Sequence, residues 1–358
     1  MKHYGIIMAG GGGTRFWPLS RQKTPKQLLN LSGKELMVNE AIDRLNSVID
    51  RDDIYIVTAK VQSESMQNVT RGRVIAQNIL SEPSQRNTAA CIGYAAMEIY
   101  RKRGDGVMLI TPADHYIENV SALTKVFKTA ISTAENSDKL VTIGLKPTFA
   151  STGYGYIKSS PDSEEIVKPV VEFREKPDLE TAKTYIDSGC YTWNSGMFIW
   201  KVSCILKKLQ EYAPDIFESL QIIGDSMNTP EEISVINEIY PKIRSISIDY
   251  AVMEPSSLRG EVLVIPADCG WHDVGSWDML NVIQASDEDG NIKLGDVIAI
   301  NSINSTIYST SRTVAVVGVD NIVVVETPDA VMVCKKDQAQ DVKKIVEALN
   351  SAGRGDLL

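Results

Sequence analysis

The sequence predicts an α/β protein in which a mixed, mostly parallel sheet is covered by helices on both faces and is followed by a small β-rich unit. Through the first half of the chain, short apolar runs alternate with amphipathic segments, a pattern typical of a parallel sheet buried on both sides. From residue 292 onward the pattern changes to closely spaced Val- and Ile-rich runs separated by Asn, Ser, Gly and Asp. The 358 residues are enough for one large domain and one smaller one.

Individual strands and helices follow from the same alternation. Apolar runs predict strands at Gly5–Ala9, Ile54–Thr58, Val107–Thr111 and Leu140–Leu145. The segments between them predict helices over Leu36–Val48, Thr88–Arg101 and Ser121–Ser137. In the middle of the chain we expect strands at Gly153–Ile157, Val170–Glu175 and Trp193–Trp200, with helices around Leu179–Ser188 and Cys204–Tyr212. Because ligands of such sheets bind beyond the carboxyl ends of the strands, a site is expected in the loops at those ends.

The last part of the chain has a different character. Short runs between Ile292 and Val333 predict a small, β-helix-like domain, although they show no clean repeat period. A final helix is predicted over Gln338–Leu349. The polar, turn-prone stretch Ala285–Asn291 is the expected boundary, and it divides the chain into domains at residues 1–287 and 288–358.

Composition excludes several classes of function. The formal net charge of −9 argues against general binding to nucleic acids or to anionic membranes. The five cysteines are scattered and form no Cys-x-x-Cys pair, which is typical of reduced thiols in a cytoplasmic protein. No signal-peptide pattern precedes the first apolar run, and no run approaches membrane-spanning length. We therefore expect a cytoplasmic protein that acts on small molecules.

Four consecutive glycines, Gly10 to Gly13, follow the first predicted strand. Consecutive glycines let backbone N–H groups converge on an anion without interference from Cβ atoms. Four cations follow closely, at Arg15, Arg21, Lys23 and Lys26. The loop fits neither the P-loop pattern G-x-x-x-x-G-K-[ST] nor the dinucleotide pattern G-x-G-x-x-G. It therefore predicts a polyphosphate site of another kind.

The residues after the glycines carry a resemblance to a known family. The stretch continues Thr-Arg-Phe-Trp-Pro-Leu-Ser-Arg, and Pro-Lys-Gln follows at residues 25–27. It resembles the signature of the sugar-1-phosphate nucleotidylyltransferases, in the form of their mannose-1-phosphate guanylyltransferase branch. The resemblance implies a GT-A-like nucleotidyltransferase domain in which Gly10, Gly11, Gly12, Gly13 and Thr14 bind the nucleotide and Arg15 and Lys26 are catalytic. Further matching motifs run in family order along nearly the whole chain.

Two aspartates match the family's metal site. Asp114 directly follows a predicted strand and precedes His115, where the family has an Asp-His pair. Asp273 lies in Gly-Trp-His-Asp-Val-Gly-Ser-Trp, which matches the motif Gly-Trp-x-Asp-x-Gly-[ST]-Trp. The resemblance implies that Asp114 and Asp273 together hold Mg²⁺. Carboxylate oxygens suit this ion, which usually takes one or two protein carboxylates plus phosphates and water.

Three further segments match the family's sugar pocket. Phe-Arg-Glu-Lys-Pro contains Glu175 and Lys176, Gly-Tyr-Gly-Tyr-Ile contains Tyr154 and Gly155, and Trp-Asn-Ser-Gly-Met-Phe contains Asn194. The resemblance implies that Glu175 accepts hydrogen bonds from sugar hydroxyls. It also implies that Lys176 holds the sugar 1-phosphate as a point charge and that Asn194 offers an amide to a hydroxyl.

Two other matching segments have less direct roles. Guanine presents adjacent N1–H and N2–H₂ donors, so Glu82 is a candidate acceptor for the base, with Asn87 and Thr88 also at the nucleotide. Glu82 could equally cap the helix that begins at Thr88. The family usually has Asn-Thr-Ala-Pro here, and Ala90 replaces that proline, which loosens the turn. For the segment that starts at Asp249, Asp-Tyr-Ala-Val-Met-Glu, we expect a supporting role.

The resemblance implies that GTP and mannose 1-phosphate react to give GDP-mannose and pyrophosphate. One alternative is a nucleotidylyltransferase of the same family that acts on another hexose or heptose 1-phosphate. The other is a non-catalytic subunit that senses nucleotide sugars, which predicts loss of the loop arginine, the lysine or an aspartate, and all of these are present. Some members of the branch carry an additional phosphomannose isomerase domain, for which this sequence leaves no room. We expect a single activity, with a β-rich unit that supports folding or a homodimer.

Overall fold

The centre of the computed structural model, which describes residues 1–160 and 165–358, is a nine-stranded sheet. Two further short strands, β5 and β11, pair with each other outside this sheet. The strands of this part of the chain are β1 (His3–Ala9), β2 (Ile54–Ala59), β3 (Ile79–Glu82), β4 (Val107–Pro112), β5 (Tyr116–Ile117), β6 (Leu140–Leu145), β7 (Tyr156–Ser159), β8 (Lys168–Arg174), β9 (Tyr191–Lys201), β10 (Val262–Ala267) and β11 (Trp271–His272).

The strand order of the large sheet is β3-β2-β1-β4-β9-β6-β10-β8-β7. Strands β1 to β4 are parallel to one another, as are β6 and β10. Strand β9 lies antiparallel between β4 and β6, and β8 is antiparallel to β10. Strand β7 is antiparallel to both β8 and β9. The predicted mixed, mostly parallel sheet is confirmed.

Helices cover both faces of this sheet. One hydrophobic core contains buried residues of the helices Asn87–Arg103, Val202–Tyr212 and Pro214–Ser226, and a second core on the other face contains those of the helices Met37–Asn46 and Val120–Glu135. No helix in the described ranges combines the length and the apolar character needed to cross a membrane. The helices are α1 (Met37–Asn46), α2 (Ser63–Val69), α3 (Asn87–Arg103), α4 (Val120–Glu135), α5 (Leu179–Ser188), α6 (Val202–Tyr212), α7 (Pro214–Ser226), α8 (Glu232–Ile239) and α9 (Glu254–Ser257).

Helix α4 illustrates how local sequence builds these layers. The side chain of Asn119 caps its first turn by accepting a hydrogen bond from the N–H of Ala122 at 3.0 Å. Leu123, Phe127 and Ile131 follow at four-residue spacing and are all buried in the second core. Burial of each such side chain stabilises the fold by roughly 1.5–3 kcal/mol.

One edge of the sheet collects the residues that the motifs single out. The glycine loop follows β1, Glu82 ends β3, and Asp114 follows β4. The short strand β3 was not predicted from the sequence, and its pairing beside β2 brings Glu82 to this edge. The predicted strand at Gly153–Ile157 begins only at Tyr156, so Gly155 lies in the loop that precedes it.

The C-terminal unit is a short β-helix. Strands β12, β14 and β16 form one parallel row, β13 and β15 form another, and β17 closes the first row antiparallel. Partners in the later coils are 17 residues apart, as in Val297–Val314, whereas the first coil, Ile292–Thr306, takes 14. These unequal coils explain why the sequence shows no clean period. The elements are β12 (Ile292–Leu294), β13 (Val297–Ile300), β14 (Thr306–Ser309), β15 (Val314–Val317), β16 (Ile322–Glu326), β17 (Val331–Lys335) and α10 (Val342–Ser351).

This unit packs directly on the loops at the edge of the large sheet. A third core contains Phe16 and Trp277 together with Val325 of β16, and the rings of Phe16 and Trp277 lie 5.2 Å apart. Trp277 Nε1 donates to the carbonyl of Trp17 at 3.1 Å, and Trp17 Nε1 donates to the carbonyl of Leu357 at 2.9 Å. The glycine loop, the Asp273 motif and the C-terminal residues thus support one another.

Candidate active site

The loop after β1 is shaped by glycine and by its contact with Lys26. Gly13 has a φ of +61°, in the left-handed region, and a Cβ there would lie 2.3 Å from the Cβ of Lys26. A larger residue would therefore strain the backbone and displace Lys26. The carbonyl of Gly13 accepts a hydrogen bond from Ser20 Oγ at 2.7 Å, which closes the turn.

Two glutamine side chains hold the first part of the loop. Gln27 Nε2 donates to the carbonyls of Ala9 at 2.5 Å and Gly11 at 3.1 Å. Gln85 Nε2 donates to the carbonyl of Gly10 at 2.6 Å. Side-chain amides from elsewhere in the chain thus give the loop one defined shape, although its glycines contribute no side chains of their own.

A cavity of about 520 Å³ opens beside this loop. Its size falls in the range of small-molecule sites. Gly12, Gly13 and Thr14 lie outside its lining, and Arg15 is exposed at the surface. The predicted residues that line the cavity are Gly10, Gly11, Glu82, Asn87, Thr88 and Asp114.

Glu82 lies buried in the wall of this cavity and does not cap helix α3. The hydroxyl of Tyr240 donates a hydrogen bond to Glu82 Oε1. Burial raises the pKa of Glu82 to about 7, and the bond from Tyr240 opposes that rise. The start of α3 is held differently, because Asn87 Oδ1 accepts from the N–H of Thr88 at 2.8 Å. Thr88 Oγ1 in turn accepts from the N–H of Ile248 at 2.8 Å.

Lys26 joins the two predicted metal ligands. Its buried ammonium donates to Asp114 Oδ2 at 3.0 Å, to the Asp114 carbonyl at 3.2 Å and to the Asp273 carbonyl at 2.7 Å. Burial disfavours the ionised form of Asp114, but the Lys26 ammonium and the other neighbouring groups together outweigh burial and hold the pKa of this carboxyl below its usual value. Motifs that lie 247 residues apart in the chain therefore meet at one side chain.

Asp273 has Arg15 beside it. A Cβ on Gly275 would lie 3.5 Å from Arg15 Nη1 and 3.6 Å from Asp273 Oδ2, so the two side chains are neighbours. Burial raises the pKa of Asp273, and the charge of Asp114 adds to the rise. Lys26, Tyr154 and Arg15 act in the opposite direction.

Asp114 and Asp273 fit a hard divalent cation. Their mutual repulsion contributes to the raised pKa of Asp273, and a cation bound by both would remove it. The described part of the chain contains no group of three or more His, Cys, Asp or Glu side chains arranged to hold a metal ion. Phosphate and water oxygens would therefore have to complete the coordination, as they commonly do for Mg²⁺.

The residues predicted for the sugar pocket converge around Gly155. A Cβ on this glycine would lie 2.4 Å from Glu175 Oε2 and 3.3 Å from the Cβ of Asn194, so the approach depends on glycine. Asn194 Nδ2 donates to Asp249 Oδ1 at 2.9 Å. Asp249, which we expected only to support the site, is thus part of it. Lys176 lies at its rim with a side chain that is 59% exposed, and its ammonium is 3.2 Å from Glu175 Oε1.

The sugar pocket has one buried acceptor that lacks a donor. Glu175 Oε2 is buried and has no hydrogen-bond partner. Burial, together with the neighbouring charge of Glu175, raises the pKa of Asp249 to about 7. Buried carboxylate oxygens normally have donors, and sugar hydroxyls are donors of the required kind.

Aromatic packing links this pocket to the metal ligands. Tyr154 packs edge-on against Trp193 and Trp271, with ring centroids 5.0 and 5.4 Å away. Trp271 lies on β11, directly before the segment of Asp273. The hydroxyl of Tyr154 also interacts with the Asp273 carboxylate. The sugar loop and the Asp273 motif are therefore held as one unit.

Four side chains of the candidate site were missed or underrated from the sequence alone. Tyr240 carried no signal, because it lies in no recognised motif and reaches Glu82 only through the fold. Gln27 lies in the signature after the glycines, which assigns it no role, and Gln85 lies between the two nucleotide candidates Glu82 and Asn87. Asp249 had a signal, since its segment matched the family, but its contact with Asn194 depends on tertiary structure.

The fold and the site together define a nucleotide-transferring enzyme. The family model described as nucleotidyl transferase matches residues 4–290, and the model described as MannoseP isomerase/GMP-like beta-helix domain matches residues 295–349. The first match covers well over half of the chain. The chain belongs to the nucleotidyl transferase family.

Individual relatives narrow this class. The chain is 39% identical over 360 residues to the mannose-1-phosphate guanylyltransferase of Escherichia coli, a match that covers 99% of this chain and 74% of the relative. It is 38% identical over 360 residues to the alginate biosynthesis protein AlgA of Pseudomonas syringae pv. tomato, covering 98% and 72%. The family resemblance drawn from the motifs is confirmed.

A solved structure resembles the whole chain. The crystal structure of the Thermus thermophilus protein described as a mannose-1-phosphate geranyltransferase superposes with a TM-score of 0.86 at 31% identity. The match covers 98% of this chain and 100% of the other. The predicted fold class, including the β-rich C-terminal unit, agrees with this neighbour.

Proposed function

We propose that this protein transfers GMP from GTP to mannose 1-phosphate, giving GDP-mannose and pyrophosphate. The observation that carries the proposal is the position of Lys26, whose ammonium joins Asp114 at the nucleotide cavity to the carbonyl of Asp273. Asp273 in turn contacts Tyr154 of the sugar loop. The names of the relatives support guanosine as the nucleoside and mannose as the sugar.

The arrangement suits an in-line displacement at the α-phosphorus of GTP. An oxygen of the sugar 1-phosphate attacks this phosphorus, and pyrophosphate leaves from the opposite side. No covalent intermediate is needed when both substrates are bound together, because positioning then supplies much of the acceleration. The glycine loop is open to the triphosphate, since its glycines have no Cβ atoms to keep the phosphates away.

The charged side chains have separate tasks in this reaction. Lys26 neutralises the α-phosphate or the sugar phosphate, and Arg15 steadies the β- and γ-phosphates as they leave. Lys176, at the rim of the sugar pocket, approaches the sugar 1-phosphate as a point charge. Asp114 and Asp273 would hold Mg²⁺, which supplies positive charge to the phosphates when bound.

The proposal extends to the organisation of the molecule. We assign catalysis to residues 1–287 and a structural role to residues 288–358, in a cytoplasmic homodimer without nucleic-acid or membrane partners. The outer face of β13 and β15 supports the homodimer, because Ile298, Ile300 and Val317 on it are each about half exposed or more. Sedimentation as a monomer at micromolar concentration would contradict this part of the proposal.

The direct test of the reaction is pyrophosphate release by the purified protein with GTP, Mg²⁺ and mannose 1-phosphate. We expect turnover with this pair to exceed turnover with glucose, fucose or heptose 1-phosphate. The Asp273→Ala variant should lose activity, while Asp187→Ala, at an exposed position of α5, should retain it. A faster reaction with another sugar would reassign the substrate, and nucleotide-sugar binding without turnover would favour the sensor.

A further inference from the structure

We propose that Tyr240 is a positioning residue that orients Glu82, so that the nucleotide cavity selects a purine with N–H donors at both N1 and C2. The inference rests on the proposed function, since it deepens the choice of GTP. Tyr240 itself does not line the cavity, and it acts through the carboxylate that does.

The contact between the two residues is built into the fold. Tyr240 is fully buried at the end of α8, and its hydroxyl donates to Glu82 Oε1 across 158 residues of sequence. Its ring packs edge-on against Tyr94 of α3, with centroids 5.6 Å apart. Packing therefore fixes the ring, and the ring fixes one oxygen of the carboxylate.

The second carboxylate oxygen lies close to the phosphate loop. A Cβ on Gly10 would lie 2.9 Å from Glu82 Oε2, so this oxygen stands where the loop turns into the cavity. Each carboxylate oxygen has two lone pairs, so Oε1 can accept from Tyr240 and from a ligand at once. With its plane fixed in this way, the carboxylate can meet two adjacent donors, which is the edge that guanine presents.

Fixing the carboxylate gives selectivity as well as affinity. Adenine has an acceptor at N1 and no donor at C2, so a carboxylate that cannot rotate away would face it unpaired. A site built around a specific hydrogen bond rejects an analogue that leaves its buried polar group without a partner. Hypoxanthine, the base of ITP, differs from guanine only in lacking the C2 amino group. A comparison of ITP with GTP therefore isolates the contribution of that donor.

The other titratable groups near Glu82 leave its own titration distinguishable from theirs. From α3, Cys91 and Tyr94 face it, and burial raises the pKa of both groups above their usual values. Burial likewise raises the pKa of Tyr240 well above its usual value. The other charged side chains that line the cavity are Arg86 and Asp114.

The titration of Glu82 predicts how GTP binding responds to pH. Burial raises the pKa of Glu82 to about 7, and the bond from Tyr240 opposes that rise. The ionised carboxylate is the form that accepts both guanine donors. GTP affinity should therefore increase as pH rises through 7, and loss of the Tyr240 hydroxyl should move this midpoint to higher pH.

The test uses Tyr240→Phe, with Tyr94→Phe as the matched control that removes the neighbouring hydroxyl of the same aromatic pair. For each protein, KM and kcat for GTP, ITP and ATP are measured from pH 6 to 9, and dissociation constants are measured by calorimetry. For Tyr240→Phe we expect KM for GTP to rise about tenfold with kcat changed less than about twofold. We also expect a smaller preference for GTP over ITP and ATP and a higher pH midpoint. The control should resemble the wild type.

Two outcomes would overturn the inference. One is an unchanged GTP preference and pH midpoint in Tyr240→Phe. The other is equal weakening of GTP, ITP and ATP, which would indicate a merely structural role. Calorimetry keeps the test separate from the proposed reaction: if the wild type binds GTP selectively but does not turn over, the reaction fails and the role of Tyr240 is still decided.

Discussion

On the nucleotide side of the cleft the chain supplies partners for the carbonyls of the glycine loop and for Glu82, and on the sugar side it leaves a buried carboxylate oxygen without one. The carbonyls of the glycine loop are held by Gln27 and Gln85, and Glu82 accepts from Tyr240. By contrast, Glu175 Oε2 is buried without a partner. The nucleotide side is thus preorganised before binding, whereas the sugar side is completed by its ligand.

This difference shows where selectivity for each substrate arises. On the nucleotide side, selection comes from a carboxylate whose orientation the protein has already fixed. On the sugar side, it comes from a buried acceptor, Glu175 Oε2, which becomes satisfied only when sugar hydroxyls stand in the right places. A sugar that lacks one of these hydroxyls would leave a buried oxygen unpaired, which costs more than the loss of one contact.

The largest effect is expected at Lys26, which belongs to both sides. Lys26→Ala removes the ammonium between Asp114 and Asp273 and should lower kcat by roughly 10² or more. The measurement is pyrophosphate release at saturating substrates. Lys23→Ala, an exposed cation of the same segment, should leave the rate unchanged. Full activity of Lys26→Ala would mean that the two sides do not meet at this side chain.

A smaller effect, confined to the sugar side, is expected for Glu175→Gln. This change converts the carboxylate into an amide, so that an NH₂ group replaces either the unpartnered Oε2 or the other oxygen, Oε1. It should raise KM for mannose 1-phosphate by about tenfold and change KM for GTP by less than about twofold. Initial rates with each substrate varied in turn measure both constants. Glu180→Gln, whose side chain is 84% exposed, is the control. Equal changes in both KM values would remove the distinction between the sides.

The smallest effect concerns stability, because burial and the neighbouring charge of Glu175 make the ionised form of Asp249 costly in the folded protein. The pKa of Asp249 is about 7 in the folded protein, above its unfolded value, so the folded state binds the proton more tightly. The corresponding stability is present at low pH and is lost as pH rises through 7. Between pH 5 and pH 8, the free energy of unfolding measured with urea should fall by about 1 to 2 kcal/mol less in Asp249→Asn than in the wild type. This difference is discounted because Asp249 is partly exposed. The exposed Asp187→Asn should follow the wild type, and identical pH dependence in Asp249→Asn would contradict the account.

Much of this architecture was accessible from the sequence. The strands before Gly10 and Asp114 were predictable because each is a continuous apolar run, and parallel strands bring their carboxyl ends to one edge. The fold class and the family follow from these runs and from the signature after the glycines, and both are confirmed. The roles of the individual site residues remain predictions.

The rest depended on contacts that no local pattern encodes. Tyr240, at the end of α8, meets Glu82, at the end of the short strand β3, only through the fold, and that strand was itself not predicted. Asp249 enters the sugar pocket through a bond to Asn194, 55 residues earlier in the chain. The β-helix coils differ in length, so their period could not be read from spacing alone.

The central claim is that two separate recognition sites, one preorganised and one completed by its ligand, meet at Lys26. A double-mutant cycle of Glu82→Gln and Glu175→Gln tests it most directly, with rates measured at low concentrations of both substrates. Glu82 and Glu175 share no hydrogen-bond partner among the described residues. The loss in the double variant should therefore equal the product of the single losses to within about two- to threefold. A double variant that loses no more than the worse single variant would contradict the account.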